Sequence, residues 1–267
     1  MSKLYPVGVQ NFEGLIRDGY VYVDKTALVH ELFNTNKYYF LSRPRRFGKS
    51  LLLSTIEAYA LGKKELFKGL ALEKLEKDWT VYPVLHLDLN TQKYDTAEAL
   101  TNVLEENVQN WEAIYGASSG EIGVARRFQG IIRRACEQTG CRVVILIDEY
   151  DKPMLQAIGN EALQNEYRST LKAFYGALKS MDGCIRFALL TGVTKFGKVS
   201  VFSDLNNLMD ISMDDRYAEI CGISEKEIHT CFEEDIHELA TATKMSYEET
   251  CKELKTNYDG YHFTENA

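Results

Sequence analysis

The stretch that decides the fold is FLSRPRRFGKSLLLS, residues 40–54, in which an apolar strand pattern leads into a basic turn and then into a helix pattern. Gly48, Lys49 and Ser50 match the second half of the phosphate-binding loop G-x-x-x-x-G-K-[ST]. In that loop, backbone N–H groups surround a polyphosphate and the Lys contacts its outer oxygens. The slot of the first glycine holds Arg43, so the match to the pattern is incomplete.

Pro44 supplies a physical reason for the missing glycine. A residue before proline avoids the α region, so Arg43 is predicted to leave the strand extended, and no left-handed turn is needed there. Because Pro44 has no N–H, the amides that surround an anion must come from later in the loop. They extend to Lys49 and Ser50, where the helix dipole also favours negative charge.

The two arginines that follow Pro44 add permanent positive charge to the turn. We expect Arg45 and Arg46 to lie beside the phosphates, and the alternative for both is a solvated turn or pairing with acidic side chains. Phosphate contact is less expected for Arg43. The predicted phosphate-binding set is Arg45, Arg46, Phe47, Gly48, Lys49, Ser50 and Leu51.

A second motif, VVILIDEYD at 143–151, is an apolar strand pattern that ends in two acids. In an open α/β sheet, ligands lie at the carboxyl ends of the strands, so Asp148 and the loop before Lys49 are predicted to meet at one edge. Mg²⁺ prefers oxygen ligands and keeps several waters, so Ser50 and Asp148 suffice to place it. Glu149 is predicted to orient an attacking water. Asp88, at the end of another strand pattern, is an alternative member of the site, with a loop or helix-capping role equally open.

Strand and helix patterns alternate through most of the chain. The predicted strands are 38–42, 82–89, 142–148 and 185–192, and the predicted helices are 50–61, 96–114, 122–138 and 161–181. This alternation indicates an α/β fold with a mainly parallel sheet covered by helices on both faces. YGASSGEIG at 115–123 is predicted to be a loop between helices.

After residue 222 only helix patterns remain. SEKE at 224–227 and SYEE at 246–249 are capping boxes, each opening an amphipathic run. We therefore predict a main domain at 1–218 and a small C-terminal helical subdomain at 219–267.

Composition and charge exclude several classes of protein. With 45% hydrophobic and 26% charged residues the chain is typical of a globular protein, and its net charge of −8 disfavours direct contact with nucleic acid. The six cysteines form no C-x-x-C pair, and no signal peptide or membrane-spanning run is visible. A cytoplasmic protein without membrane contact is expected.

Several motifs together resemble those of a bacterial AAA-ATPase-like family of predicted P-loop ATPases. They are YVYVDKTALVHEL (20–32), FLSRPRRFGKSLLLSTIEAY (40–59), VVILIDEYDKPM (143–154), TGVTKFGKVSVFSDLNNLMDIS (191–212) and NYDGYHF (257–263). The resemblance implies the additional-strand division of the P-loop NTPase fold, with one further strand between the phosphate-loop strand and the acidic strand. It also implies Walker A and Walker B motifs, ATP and Mg²⁺ as cofactors, and Thr191 as a sensor of the γ-phosphate. Members usually continue into a domain that resembles PD-(D/E)XK nucleases.

The function expected from the motifs and the resemblance is ATP hydrolysis that drives a conformational switch on an attached domain or a partner. Glu149, Lys49 and Thr191 form the predicted catalytic set. The alternatives are a nucleotide-dependent scaffold without hydrolysis and the regulatory half of a nucleic-acid-processing protein. An arginine finger has three open sources, namely Arg216, the surrounding loop, or a neighbouring subunit in a homo-oligomer.

Three further groups of residues have simpler explanations. Glu253 and Lys255 have the E-x-K form of a nuclease motif but are predicted to be the solvated face of a helix. His229 and His237 are expected at the surface and could share one helical face. The N-terminal tyrosines Tyr5, Tyr20, Tyr22 and Tyr38 are predicted to pack N-terminal strands, with stacking on adenine as the alternative.

Overall fold

The described residues form a sheet of five strands, all parallel, in the order β2-β3-β4-β1-β5. The structure, a computed structural model, describes residues 4–195 and 207–264. The strands are β1 (Tyr38–Ser42), β2 (Val84–Asp88), β3 (Val143–Asp148), β4 (Ile185–Gly192) and β5 (Met209–Asp210). The predicted α/β fold with a parallel sheet is confirmed. The four predicted strands are present, and the two-residue β5 was not predicted because it is too short to show a pattern.

Helices cover both faces of the sheet. In the part of the chain that the structure describes, those before the last strand are α1 (Phe12–Arg17), α2 (Thr26–Thr35), α3 (Lys49–Ala60), α4 (Ala71–Leu75), α5 (Ala97–Tyr115), α6 (Val124–Thr139), α7 (Lys152–Gln156) and α8 (Glu161–Ser180). The four long helices predicted from periodicity match α3, α5, α6 and α8 to within two residues at each end. The loop predicted at 115–123 connects α5 to α6.

Alternate residues of each strand enter two different cores, as the pleat of a strand requires. In β3, Ile145 and Ile147 pack with α5, α6 and α8, whereas Val144 and Leu146 pack with α2 and α3. This alternation carries through to the strand end, so Asp148 emerges on the face that α3 covers.

The strand β4 lies between the phosphate-loop strand β1 and the acidic strand β3. This is the additional strand implied by the family resemblance, and the structure confirms it. Its register brings Thr191 opposite Leu41 of β1, and the register of β2 with β3 brings Asp88 opposite Asp148.

The N-terminal segment differs from the prediction. The tyrosines there were expected to pack strands, but the segment forms α1 and α2, with only an isolated bridge between Leu4 and Tyr20. Tyr22 packs edge-on against Phe12 of α1. The prediction was wrong for Tyr5, Tyr20 and Tyr22, because the general preference of aromatic residues for strands does not decide the structure here. It was right for Tyr38, which lies buried in β1.

Three further helices follow the sheet, namely α9 (Glu225–Cys231), α10 (Glu233–Thr243) and α11 (Tyr247–Tyr258). Both predicted capping boxes are present, at Ser224 with Glu227 and at Ser246 with Glu249. Glu227 also forms an ion pair with Lys25, which joins α9 to the start of α2. The division at 218/219 stays a prediction.

His229 and His237 do not share a helical face, because the helix is interrupted at Phe232 and the two residues lie on different helices, α9 and α10. Both nevertheless contact one residue of α11. The Nδ1 atom of His229 lies 2.9 Å from the hydroxyl of Tyr247, and the His237 ring lies 4.5 Å from the Tyr247 ring. Within residues 4–195 and 207–264, no helix has the length and apolar character needed to cross a membrane.

Candidate phosphate-binding site

The loop between β1 and α3 is a tight turn that ends at a helix N-terminus. Arg46 and Gly48 both have left-handed backbones, with φ of 67° and 86°. The first helical hydrogen bond runs from the N–H of Leu52 to the carbonyl of Gly48. The amides of Lys49, Ser50 and Leu51 therefore have no partner within the helix and are available to an anion. Arg43 has no left-handed backbone, as its place before Pro44 predicted.

Lys49 is almost fully buried, with 4% of its side chain exposed, and its ammonium lies inside the loop. Its Nζ donates to the carbonyls of Arg43 at 3.1 Å and Pro44 at 3.3 Å. It also lies 3.3 Å from Oε1 of Glu149. The two residues predicted to act on phosphate and on water are thus in direct contact.

Asp148 joins three parts of the site. Its Oδ2 accepts a hydrogen bond from the Ser50 hydroxyl at 2.5 Å, and its Oδ1 accepts one from the Thr191 hydroxyl at 2.5 Å. Oδ1 also accepts from the backbone N–H of Glu149 at 3.0 Å. The predicted metal ligands, sensor and base are therefore held around one carboxylate.

Glu149 occupies a strained position at the end of β3. Its φ of 54° is left-handed, a conformation that costs a non-glycine residue about 1 to 3 kcal/mol and that clusters at functional sites. Burial raises the pKa of its carboxyl above the ordinary value, while the Lys49 charge opposes that rise. At this residue the backbone leaves the direction of β3, and the Glu149 side chain contacts Lys49.

Asp88 lies beside this group, on the same face of the sheet, because its register partner is Asp148. Its side chain is exposed, and Oδ1 accepts from the N–H of Asn90. It therefore has the predicted loop role and also lies at the edge of the site, and it does not cap the next helix, whose N-cap is Thr96.

Arg43 does not face the phosphate side of the loop. Its side chain is 1% exposed and donates to the carbonyls of Ser212 and Tyr217 at 2.6 and 3.2 Å. Arg45 and Arg46 are both exposed on the turn. Arg43 is therefore a structural anchor for the segment after β5, and only the other two arginines remain as candidates for phosphate contact.

Asp151, which the motif VVILIDEYD places close to the predicted base, has a different role. It is fully buried, and its carboxylate accepts from the N–H groups of Val193 and Thr194 and from the Thr194 hydroxyl. Asp151 therefore fixes the loop that follows β4, and Thr191 lies at the end of β4 just before this loop. Lys195 in that loop pairs with Asp210, and Lys198 lies outside the described residues.

Two other candidates are occupied elsewhere. Arg216 donates to Asp214 through both Nε and Nη2, so in this structure it is held beside its own turn rather than extended as a finger. Glu253 and Lys255 are exposed on α11, and Lys255 pairs with Glu225. The predicted solvated helix face is therefore confirmed.

Contacts between the loop and the end of the chain were not predicted. The carbonyl of Phe47 accepts from the N–H of Gly222 at 3.0 Å. The Phe47 ring packs edge-on against the rings of Tyr261 and Phe263. The motif NYDGYHF contributed to the family resemblance, but nothing in its letters indicated which residues it touches.

The chemistry of the oxygen donors suits Mg²⁺ better than a metal that needs a full protein shell. Within the described parts of the chain, no group of three or more His, Cys, Asp and Glu side chains is arranged to hold a metal. One hydroxyl and one carboxylate, from Ser50 and Asp148, are what Mg²⁺ needs when phosphate and water supply its other ligands.

Comparison with known sequences decides the family. The sequence profile of a family described as "Predicted AAA-ATPase" matches residues 6–202, well over half of the chain. The chain belongs to this AAA-ATPase-like family. The match includes the phosphate loop, Asp148, Glu149 and Thr191, whereas Gly222, Tyr261 and Phe263 lie beyond it.

A curated relative of this AAA-ATPase-like chain is described as "Uncharacterized protein in vnfD 5'region" and comes from Azotobacter chroococcum mcd 1. It is 38% identical over 268 residues, which is 99% of this chain and 50% of the relative. The chain therefore spans about half the length of the curated relative it matches.

Proposed function

We propose that this AAA-ATPase-like chain binds ATP with Mg²⁺ and hydrolyses it to drive a conformational switch. The observation that carries the proposal is the Asp148 carboxylate, which joins Ser50 of the phosphate-loop helix, Thr191 of the neighbouring strand and the backbone of Glu149. Such a junction links the group that would hold a metal to the groups that would contact the γ-phosphate and water.

The loop is suited to a triphosphate in charge and in shape. Lys49 would exchange its contacts with two loop carbonyls for phosphate oxygens, while the amides of Lys49, Ser50 and Leu51 donate to them as well. Arg45 and Arg46, exposed on the turn, would add positive charge around the phosphates. Ser50 and Asp148 would hold Mg²⁺, which supplies charge neutralisation between the β- and γ-phosphates.

The exchange of partners by Lys49 also acts on Glu149. In the structure the two are an ion pair at 3.3 Å. Once Lys49 contacts phosphate, the Glu149 carboxylate is free to accept a proton from a water and to orient it. Thr191 would exchange its hydrogen bond to Asp148 for one to the γ-phosphate or the water. The strained turn at Glu149 keeps its side chain on this side of the sheet.

The target of the switch is proposed by resemblance alone. An attached nuclease-like domain or a protein partner would receive it, and the net charge of −8 supports a partner other than nucleic acid. A homo-oligomer that supplies an arginine finger in trans is compatible with the pairing of Arg216 to Asp214.

The test is nucleotide binding and phosphate release by Lys49→Ala against Lys68→Ala, an exposed lysine away from the loop. A charge-assisted contact is worth about 1.5 to 3 kcal/mol, so Lys49→Ala should weaken ATP binding at least about tenfold in calorimetry, and Lys68→Ala should not. Unchanged affinity in Lys49→Ala would remove this loop from the site. Binding by the wild type without phosphate release, even at high protein concentration, would favour the scaffold function over hydrolysis.

A further inference from the structure

The segment 259–264, here called the terminal clasp, packs on the phosphate loop through aromatic rings. The centroid of the Phe47 ring lies 4.7 Å from that of the Tyr261 ring and 5.5 Å from that of the Phe263 ring, and both pairs are edge-on. The two clasp rings are themselves nearly parallel, with centroids 6.3 Å apart. Edge-to-face aromatic pairs are favourable beyond the area they bury, so these contacts stabilise the docked clasp.

Phe263 also covers a buried charge at the base of the loop. The Arg43 guanidinium carbon lies 4.1 Å from the centre of the Phe263 ring. Among the described residues, the Nε of Arg43 has no hydrogen-bond partner. The carbonyl acceptors do not satisfy every donor of the guanidinium, and the face of the Phe263 ring adds a favourable cation–π contact. Removing this ring would leave the buried charge of Arg43 less well compensated.

The loop backbone is held from the same side. The Phe47 carbonyl accepts from the N–H of Gly222, and a trans peptide unit is planar with its C=O and following N–H pointing in opposite directions. The Gly48 N–H must therefore point away from Gly222. A side chain at 222 would bring its Cβ to 3.2 Å from the Phe47 ring, so glycine permits this close approach.

We propose that the terminal clasp holds the phosphate loop in its binding-ready shape, so that nucleotide binding and clasp docking stabilise each other. This inference rests on the proposed function, with a nucleoside triphosphate or diphosphate as the ligand. Tyr261 and Phe263 act as positioning residues, because they reach the phosphates only through Phe47 and Arg43. Linkage is reciprocal, so a nucleotide in the loop must tighten the clasp by the same factor that the clasp tightens the nucleotide.

The first measurement is nucleotide affinity in the full chain, with ADP and with a non-hydrolysable ATP analogue plus Mg²⁺. Phe263→Ala and Tyr261→Ala should each weaken binding at least about fivefold, the low end of measured coupling energies. Phe263→Tyr keeps the ring and should bind as the wild type does. The matched control is Tyr258→Ala, which removes an aromatic ring that is 77% exposed just before the clasp and should change nothing.

The second measurement is hydrogen exchange of peptides that cover 259–264, with and without the nucleotide. Slower exchange in the wild type when nucleotide is added, and no such change in Lys49→Ala, would support the coupling. A loss of affinity in Phe263→Ala with exchange unaffected by nucleotide would make the clasp a structural support and overturn it. Tyr261 is 56% exposed, so Tyr261→Ala is expected to fold even if Phe263→Ala does not.

The two proposals fail in different ways. If the wild type binds nucleotide but both clasp variants bind it equally well, only the clasp inference is wrong. If the wild type binds no nucleotide, the proposed function and the clasp inference are both wrong.

Discussion

At the scale of single residues, the candidate site depends on one carboxylate with three donors. Asp148 accepts from Ser50, Thr191 and the Glu149 amide, so a change of its charge alters the metal site and the sensor together. Glu149 makes fewer contacts, and its strained backbone and its ion pair with Lys49 support the catalytic role proposed for it. The two neighbouring acids should therefore respond differently to neutralisation.

We expect Glu149→Gln to retain ATP binding and to lower turnover by a factor on the order of 100 or more, the range typical of losing a positioned base. The amide keeps the shape of the side chain but cannot accept the proton from water. Asp148→Asn should instead weaken Mg²⁺-dependent binding as well as turnover. Calorimetry and phosphate release on the same preparations separate the two effects.

Intact turnover in Glu149→Gln would mean that the base lies elsewhere. Asp151 is then a poor candidate, because its carboxylate is buried and already accepts three hydrogen bonds from Val193 and Thr194. Asp88, which is exposed beside Asp148, would be the residue to replace next.

At the scale of secondary-structure elements, α5 and α6 are joined by a partly buried ion pair far from the candidate site. Arg127 of α6 donates to both carboxylate oxygens of Glu112 of α5, at 2.9 and 2.6 Å, and contacts Glu105 as well. These helices, with α8, cover the face of the sheet opposite α3. The pair provides a test of stability that is independent of function.

The Arg127 guanidinium holds the pKa of Glu112 below its ordinary value. A carboxyl with a lowered folded-state pKa contributes stability above its unfolded pKa and loses it as pH falls through the folded pKa. Glu112→Gln should therefore lower the free energy of unfolding by about 1 kcal/mol near pH 7, with a smaller difference below about pH 4. Urea unfolding at both pH values measures this.

The control for that measurement is Glu106→Gln, an exposed position on the same helix, which should change stability little at either pH. A Glu112→Gln deficit that stays constant down to acid pH would contradict the ionic origin and point to packing instead.

At the scale of the whole molecule, the acidic net charge contrasts with the basic turn of the candidate site. The net charge is −8, while Arg45 and Arg46 are both exposed on the turn before α3. A small anion can use this turn, whereas a long polyanion would meet the acidic remainder of the surface. Under the proposed function, the chain would bind phosphates at this turn and would not bind nucleic acid.

We therefore expect the purified chain neither to bind duplex DNA at physiological salt nor to cut DNA or RNA with Mg²⁺ or Mn²⁺. Glu253 and Lys255 lie exposed on a helix, with Lys255 paired to Glu225, and so do not form a nuclease centre. Gel-shift and cleavage assays measure both properties. Metal-dependent cleavage that disappears in Glu253→Ala would contradict this expectation and the domain assignment with it.

The sequence by itself determined the features that depend on neighbours along the chain. The strand patterns, the long helices, both capping boxes and the extended exit at Arg43 follow from short-range periodicity and from the sterics of Pro44. The two strand-end motifs also predicted that Lys49, Ser50, Asp148 and Glu149 meet at one edge of the sheet, because the carboxyl ends of parallel strands share that edge.

Only the tertiary structure decided which distant residues meet. Arg43 lies under Phe263, Asp151 fixes the loop of Thr194, and Phe47 packs on Tyr261. From the sequence alone, phosphate contact by Arg43 and base catalysis by Asp151 were also possible. The choice among those roles rests on the packing of side chains far apart in sequence, whose energies exist only once the sheet and its helices are assembled.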